Sequence, residues 1–340
     1  MKAILVSSVL LLVAGTMLYH HLSTQQPTYD MDELWSSWKL QYGKGYASSA
    51  EDSMRKEVFK ANVEKINYHN MYLQEELGFE MGINQFADLS EQEFKESMTC
   101  LRSDSKNPKG SDPDCPGFES CPTLDKTSET SWDWSTKGAV TPIKNQGACG
   151  SCWAFGAIGS LEGRYFLDNN KLLSFSEQYI VDCDHDGVHG CEGGYAQLAM
   201  NWTIANEAYT ETDYPYKGMD EACNPPTSAS KIKINSAVNC VTPKDAEQMK
   251  AAVVLQPTAI GVDATTWQFY VKGIIKRFCG KGQDHNVLLV GFDTSEGYWK
   301  IKNSWGPNWG EKGYVRVAIT DNNDGYGECA VLRCGSRPLK

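Results

Sequence analysis

Between Gln146 and Phe155 a glycine-rich turn, Gln-Gly-Ala-Cys-Gly-Ser-Cys, runs straight into an apolar segment. Ala154, Phe155, Ile158, Leu161, Tyr165 and Phe166 recur at three- and four-residue steps with no proline among them, which predicts a helix with Cys152 in its first turn. The first backbone N–H groups of a helix have no intrahelical acceptor, and the positive end of its dipole favours a thiolate over a thiol. The thiolate is the nucleophile. A helix-start cysteine alone equally describes an inert packing residue or a disulfide partner.

Downstream residues supply what a nucleophile needs: a base, and a group to orient that base. His285 leads the buried-strand pattern Asn286 to Gly291, and Asn303 follows the strand-like run Tyr298 to Ile301. Two neighbouring strands could therefore present His285 and Asn303 side by side. A neutral asparagine can accept from one imidazole nitrogen while the other faces the sulfur, leaving a Cys⁻/His⁺ pair undisturbed. Gln146 can aim its side-chain N–H at an oxyanion beside the Cys152 backbone N–H.

Cys149-Gly-Ser-Cys152-Trp153, with His285 and Asn303 at separations of 133 and 151 residues, resembles the papain-like cysteine proteases, cathepsin L-like branch. The resemblance implies catalytic Cys152, base His285, orienting Asn303 and oxyanion donor Gln146, with Trp305 shielding the Asn303–His285 contact. It also implies an α+β fold: a helical half and an antiparallel β-barrel half with the cleft between them, preceded by a helical propeptide. Glu51, Arg55, Phe59, Asn62, Ile66 and Asn70 match the interspersed helix pattern of cathepsin L-like propeptides, and Gly82, Asn84, Phe86 and Asp88 match the second propeptide motif. Acidic residues there, such as Asp88, are expected to be paired in the zymogen, so that the inhibitory segment lets go on acidification.

Twelve cysteines point to an oxidising compartment. Met1-Lys2 followed by apolar Ala3 to Ala14 reads as a signal peptide over residues 1–15, the competing reading being a signal anchor extending to Leu18. A net charge of −11 argues against nucleic acid or an anionic membrane surface as a partner. The expected partners are protein or peptide substrates and the chain's own prosegment, with the enzyme a monomer in a lysosome, a vacuole or the extracellular space.

Asp32 to Tyr42 and Glu51 to Leu77 read as amphipathic helices within a prosegment spanning 16–127. Residues 102–131 form a polar linker suited to proteolysis. The mature enzyme then spans 128–340, although Glu129 stands where relatives usually have proline. Leu173 to Ile180 and Ala196 to Ala205 read as helical. Lys231 to Val241, Thr258 to Val262, Val287 to Phe292, Tyr298 to Ile301 and Tyr314 to Ile319 read as strands.

Cys183, His185, His189 and Cys191 have zinc-ligand chemistry but one-residue gaps that strain a closed site, and Asp321 to Gly325 lacks the spacing of a calcium loop. No metal or other cofactor is expected. The resemblance implies bridges Cys149–Cys191, Cys183–Cys223 and Cys279–Cys329. Cys100, Cys115, Cys121, Cys240 and Cys334 remain, and a Cys240–Cys334 bridge is favoured because both residues stay in the mature chain. The alternative takes Cys115 or Cys121 as a tether to Cys334, as in cathepsin H-like aminopeptidases. By the same resemblance Gly193 and Gly194 form the edge that pairs with extended substrate, and Tyr195, Ala196, Gly261, Gln283, Asn286 and Cys334 form the S2 pocket. Asn286 departs from the small apolar residue usual there. Asn201 begins the only N-glycosylation sequon. The expected activity is that of an endopeptidase zymogen, against an aminopeptidase or a catalytically silent binding protein.

Overall fold

The structure is a computed structural model that describes residues 30–99, 115 and 118–339. The signal-peptide reading and Cys100 lie outside the described residues. In the prosegment, α1 (Met31–Tyr42) starts at Asp30, whose carboxylate accepts from the Asp32 and Glu33 N–H groups, and ends at Gly43 in the left-handed region. The helix expected to run from Glu51 to Leu77 divides into α2 (Ser49–Tyr72) and α3 (Gln74–Leu77). Among the described residues, strand β1 (Phe79–Met81) and α4 (Glu91–Met98) complete the prosegment, the latter begun by a Ser90/Glu93 capping box.

The propeptide-motif residues sit on one face of α2 because their steps are three or four. Phe59 is fully buried against Trp35 and Trp38. Arg55 donates to Glu93 at 2.8 Å and to the Asp88 carbonyl at 3.1 Å. Asn62 donates to the Ala87 and Leu89 carbonyls, and Asn70 exchanges two hydrogen bonds with the Met81 backbone. Glu51 accepts from the Ala47 N–H, and Ile66 packs in the core. Asp88 accepts from Lys44 at 2.9 and 3.0 Å and from Tyr46 at 2.9 Å.

After β2 (Ser131–Asp133), the helical half comprises α5 (Cys152–Asn169), α6 (Glu177–Cys183) and α7 (Ala196–Asn206). α6 begins four residues later than the apolar run suggested. Ser176 caps it by accepting from the Tyr179 N–H, and Phe175 is extended and bridges Thr210. The β half comprises β3 (Val238–Val241), helix α8 (Ala246–Leu255), β4 (Thr258–Val262), β5 (Tyr270–Ile275), β6 (His285–Asp293), β7 (Tyr298–Lys302), β8 (Tyr314–Ala318) and β9 (Cys334–Pro338). Of the expected strand from Lys231, only the last four residues join the sheet.

The sheet runs β1-β5-β8-β7-β6-β4-β9-β3, with β2 also on β6. It is not wholly antiparallel, since β5 and β8 pair in parallel with the β6–β7 hairpin inside the crossover. The prosegment is built into this sheet: β1 adds to the free edge of β5, pairing Phe79 with Gly273.

Disulfides Cys149–Cys191, Cys183–Cys223 and Cys279–Cys329 are present. The favoured Cys240–Cys334 bridge is not. β3 and β9 are neighbours, but their register sets Cys240 opposite Ser336, two residues from Cys334. Diagonal strand neighbours lie about 7–8 Å apart, beyond disulfide reach. Each sulfur is instead taken by the linker: Cys115 bonds Cys334 and Cys121 bonds Cys240.

Candidate active site

α5 delivers Cys152 at its first position, fully buried, with no side chain capping the positive helix end. From the facing sheet come His285, the first residue of β6, and Asn303, which follows the last residue of β7. Antiparallel pairing of Leu288 with Lys302 holds the two strands in register. His285 Nε2 donates to Asn303 Oδ1 at 2.8 Å, in the tautomer that leaves Nδ1, buried and without a hydrogen-bond partner, for the sulfur. The Trp305 ring stacks on His285 at 4.8 Å and covers it. Burial pushes His285 down to about 4, although the Asn303 bond pulls the other way, so the imidazole is neutral in this closed form.

Cys152 is itself disulfide-bonded, so the nucleophile is capped. Its sulfur stands where the thiolate of the reduced enzyme would be. It accepts from the Asn286 backbone N–H at 3.1 Å, and the Asn286 side-chain amide lies 3.9 Å away.

Gln146 is fully buried and locked: Ser304 Oγ donates to its Oε1 at 2.6 Å, and its Nε2 donates to the Cys149 carbonyl at 3.0 Å. The same nitrogen reaches the carbonyl of Met98, the last residue of α4, at 3.3 Å. A peptide carbonyl of the prosegment thus rests on the group expected to hold an oxyanion. The prosegment also closes over Trp305. Phe86 and Phe94 meet that ring edge-on at 5.8 and 5.2 Å, and Gln85 donates to the Trp305 carbonyl at 2.9 Å. Asn84 donates to the Gln268 carbonyl at 2.7 Å.

Tyr195, Gly261, Gln283, Asn286 and Cys334 converge on one small cavity. Ala196, expected with them, instead packs into the helical core. Gln197 and Ser336 line the cavity without having been expected there, and no sequence signal marks them. Gly193 and Gly194 lie on the loop before α7, where a Cβ on Gly194 would come within 2.7 Å of Val188 and 2.9 Å of Trp153. Asn201 is an exposed residue of α7. Cys183 and Cys191, the cysteines with zinc-ligand chemistry, belong to separate disulfides.

Sequence reasoning also missed a charge cluster beneath the site. Glu162 accepts from Thr141 at 2.6 Å and from Lys144 at 3.0 Å, Lys144 reaches Glu177 at 2.6 Å, and Lys302 donates to Thr141 at 3.0 Å. Burial raises Glu177 to about 8 against the pull of Lys144, and lowers Lys302 to about 8. Lys144, Glu162, Glu177 and Lys302 line a void of about 20 Å³ that Asn286 and Asn303 also line.

A helix-start cysteine facing a histidine oriented by an amide defines a thiol peptidase site, here under an inhibitory segment. The papain family cysteine protease pattern matches residues 128–338 and the cathepsin propeptide inhibitor domain matches residues 35–94. The chain belongs to the papain family, as a cathepsin L-like zymogen. It is 36% identical over 317 residues to cathepsin L of Sarcophaga peregrina, covering 90% of this chain and 92% of that protein. Human cathepsin L2 is 37% identical, with 93% and 96% covered. Digestive procathepsin L 3 of Tenebrio molitor superposes with a TM-score of 0.80 at 31% identity, over 92% of this chain and all of that one.

Proposed function

We propose that Cys152, His285, Asn303 and Gln146 carry peptide-bond hydrolysis, with Trp305 keeping water from the His285–Asn303 bond. A thiol reductant first releases Cys152 as a thiol, and His285 Nδ1 takes the thiol proton to give the thiolate. The thiolate attacks a peptide carbonyl carbon, and the oxygen takes the negative charge between the Cys152 backbone N–H and Gln146 Nε2. His285 Nδ1 gives its proton to the leaving amine, and the acyl thioester is hydrolysed by water that His285 deprotonates. Proton transfer by a positioned histidine contributes about 10²–10⁴-fold. The observation that carries this reading is the Met98 carbonyl resting on Gln146, because it puts a peptide oxygen where the chemistry requires one.

The chain is organised as a signal peptide over 1–15, an inhibitory prosegment over 16–127 and a mature peptidase over 128–340. The finer location is the lysosome, a vacuole or the extracellular space, and the enzyme acts as a monomer. Among the described residues no helix is long and apolar enough to cross a membrane. The test is labelling of the reduced, acid-processed protein with a thiol-reactive epoxide. Label on Cys152 that disappears in His285→Ala supports the peptidase, and absence of label from the processed wild type would favour a binding protein.

The Cys115–Cys334 bridge favours a second reading, restriction to chain ends by a retained linker peptide at the non-primed side. Release of single N-terminal residues from test peptides, abolished in Cys115→Ser, would establish it. Internal cleavage by an enzyme still carrying the peptide would remove it.

A further inference from the structure

We infer that the S2 pocket of this enzyme selects a P2 side chain bearing a hydrogen-bond acceptor, read by the Gln283 and Asn286 amides; this rests on the peptidase reading above. The two residues line a single cavity with Gly261, Cys334 and Ser336. Its volume is about 10 Å³ in the closed form, room for one water-sized atom. Gln283 Nε2 is buried and has no hydrogen-bond partner. Its amide lies over β4 because position 261 is glycine: a Cβ there would fall 2.6 Å from Gln283 Nε2. Asn286 is 5% exposed and forms the wall between this cavity and the nucleophile, with Nδ2 at 3.9 Å from Cys152 Sγ.

An unpaired buried N–H donor is costly to leave unmet, and an apolar P2 group would seal it from water without satisfying it. An amide, carboxylate or hydroxyl oxygen on the P2 side chain would satisfy it. Cys334, which lines the same space, is bonded to Cys115, and the small volume favours short side chains. Peptides with Asn, Asp, Ser or Thr at P2 are therefore the substrate class this pocket fits.

The test compares peptide substrates that differ only at P2. Asn and Leu form the decisive pair because they are nearly isosteric and differ in the oxygen that Gln283 would meet. The enzyme is processed under mild reduction that uncaps Cys152 while leaving the Cys115–Cys334 bridge intact by mass. Active sites are counted by epoxide labelling. One satisfied buried hydrogen bond corresponds to about a tenfold advantage in kcat/KM for Asn over Leu. Gln283→Leu should erase or invert that ratio, and Gln283→Glu, which turns a donor into an acceptor, should reject P2 Asp. A wild-type preference for Leu or Phe, or an Asn/Leu ratio that neither Gln283 variant moves, overturns the inference. Those results leave the labelled, active enzyme intact as a peptidase. If wild type is neither labelled nor active on any substrate, the peptidase reading fails and this inference with it.

Discussion

Cutting the chain near Ser128 should not free the inhibitory segment. Cys115 and Cys121 both lie upstream of that point, and they are bonded to Cys334 and Cys240 of the β half across sequence separations of 219 and 119 residues. One cut leaves the prosegment covalently attached, so release also needs a second cut before Cys115. The peptide containing Cys115 to Lys126 then stays behind. Without the bridges little would hold it. Gln248 exchanges two hydrogen bonds with the Leu124 backbone, at 2.6 and 2.9 Å, worth about 1 kcal/mol each. Half-buried Phe118 packs on the cystine cluster and adds about 1–2 kcal/mol. Fixing each backbone residue costs about 1 kcal/mol, so a peptide of this length held only by those contacts would bind no better than about millimolar. Intact mass of the processed enzyme, before and after full reduction, measures this directly. Loss of a linker peptide on reduction is expected in wild type and in Cys115→Ser, which keeps the second bridge. In the Cys115→Ser/Cys121→Ser double variant the peptide should already be absent before full reduction. A processed wild-type enzyme whose mass is unchanged by reduction beyond the added protons would refute the reasoning.

Gln146→Ala should lower kcat by about 10²–10³-fold while epoxide labelling of Cys152 persists. Phe94 is fully buried between Phe86 and Trp305, so Phe94→Ala should cost about 3–5 kcal/mol, shared between the prosegment core and its seat on the enzyme. Processing at neutral pH, followed by electrophoresis over time, should then accelerate at least about tenfold. Acid dependence follows from His285 and Glu93. His285 is depressed to about 4 in the closed form, so opening the site takes up a proton, and closed-form stability is lost as pH falls from about 6.5 toward 4. Burial raises Glu93, but hydrogen bonds from Ser90 and the Arg55 guanidinium outweigh it, and the carboxyl sits below its usual range. Its contribution is present above about 4.3 and fades as pH falls through the depressed folded value. Processing rate measured from pH 7 to 3 should rise first in the His285 window, and Glu93→Gln should remove only the more acidic limb. A single step unchanged by Glu93→Gln would exclude Glu93 from the trigger.

Signals carried by local periodicity were legible in the chain. The apolar steps after Cys152 fixed a helix start, and the runs at Val287 and Tyr298 fixed neighbouring strands, so the positions of Cys152, His285 and Asn303 followed before any contact was known. The α2 motif was legible for the same reason, since its steps place Arg55, Asn62 and Asn70 on one helical face. Spacing does not encode what depends on distance across the fold. Cys240 and Cys334 are close in the sheet, yet a two-residue offset in the β3–β9 register separates them and gives each to a linker cysteine. β1 has only three residues, too few for a pattern, and exists because the β5 edge offers it hydrogen bonds. Gln197 and Ser336 enter the cavity of Tyr195 and Gln283 because α7 packs against β9, and Lys144, Glu162, Glu177 and Lys302 meet beneath the site because α5 packs against the sheet. Burial then sets the charge of His285, a property that belongs to the surrounding protein and not to the residue.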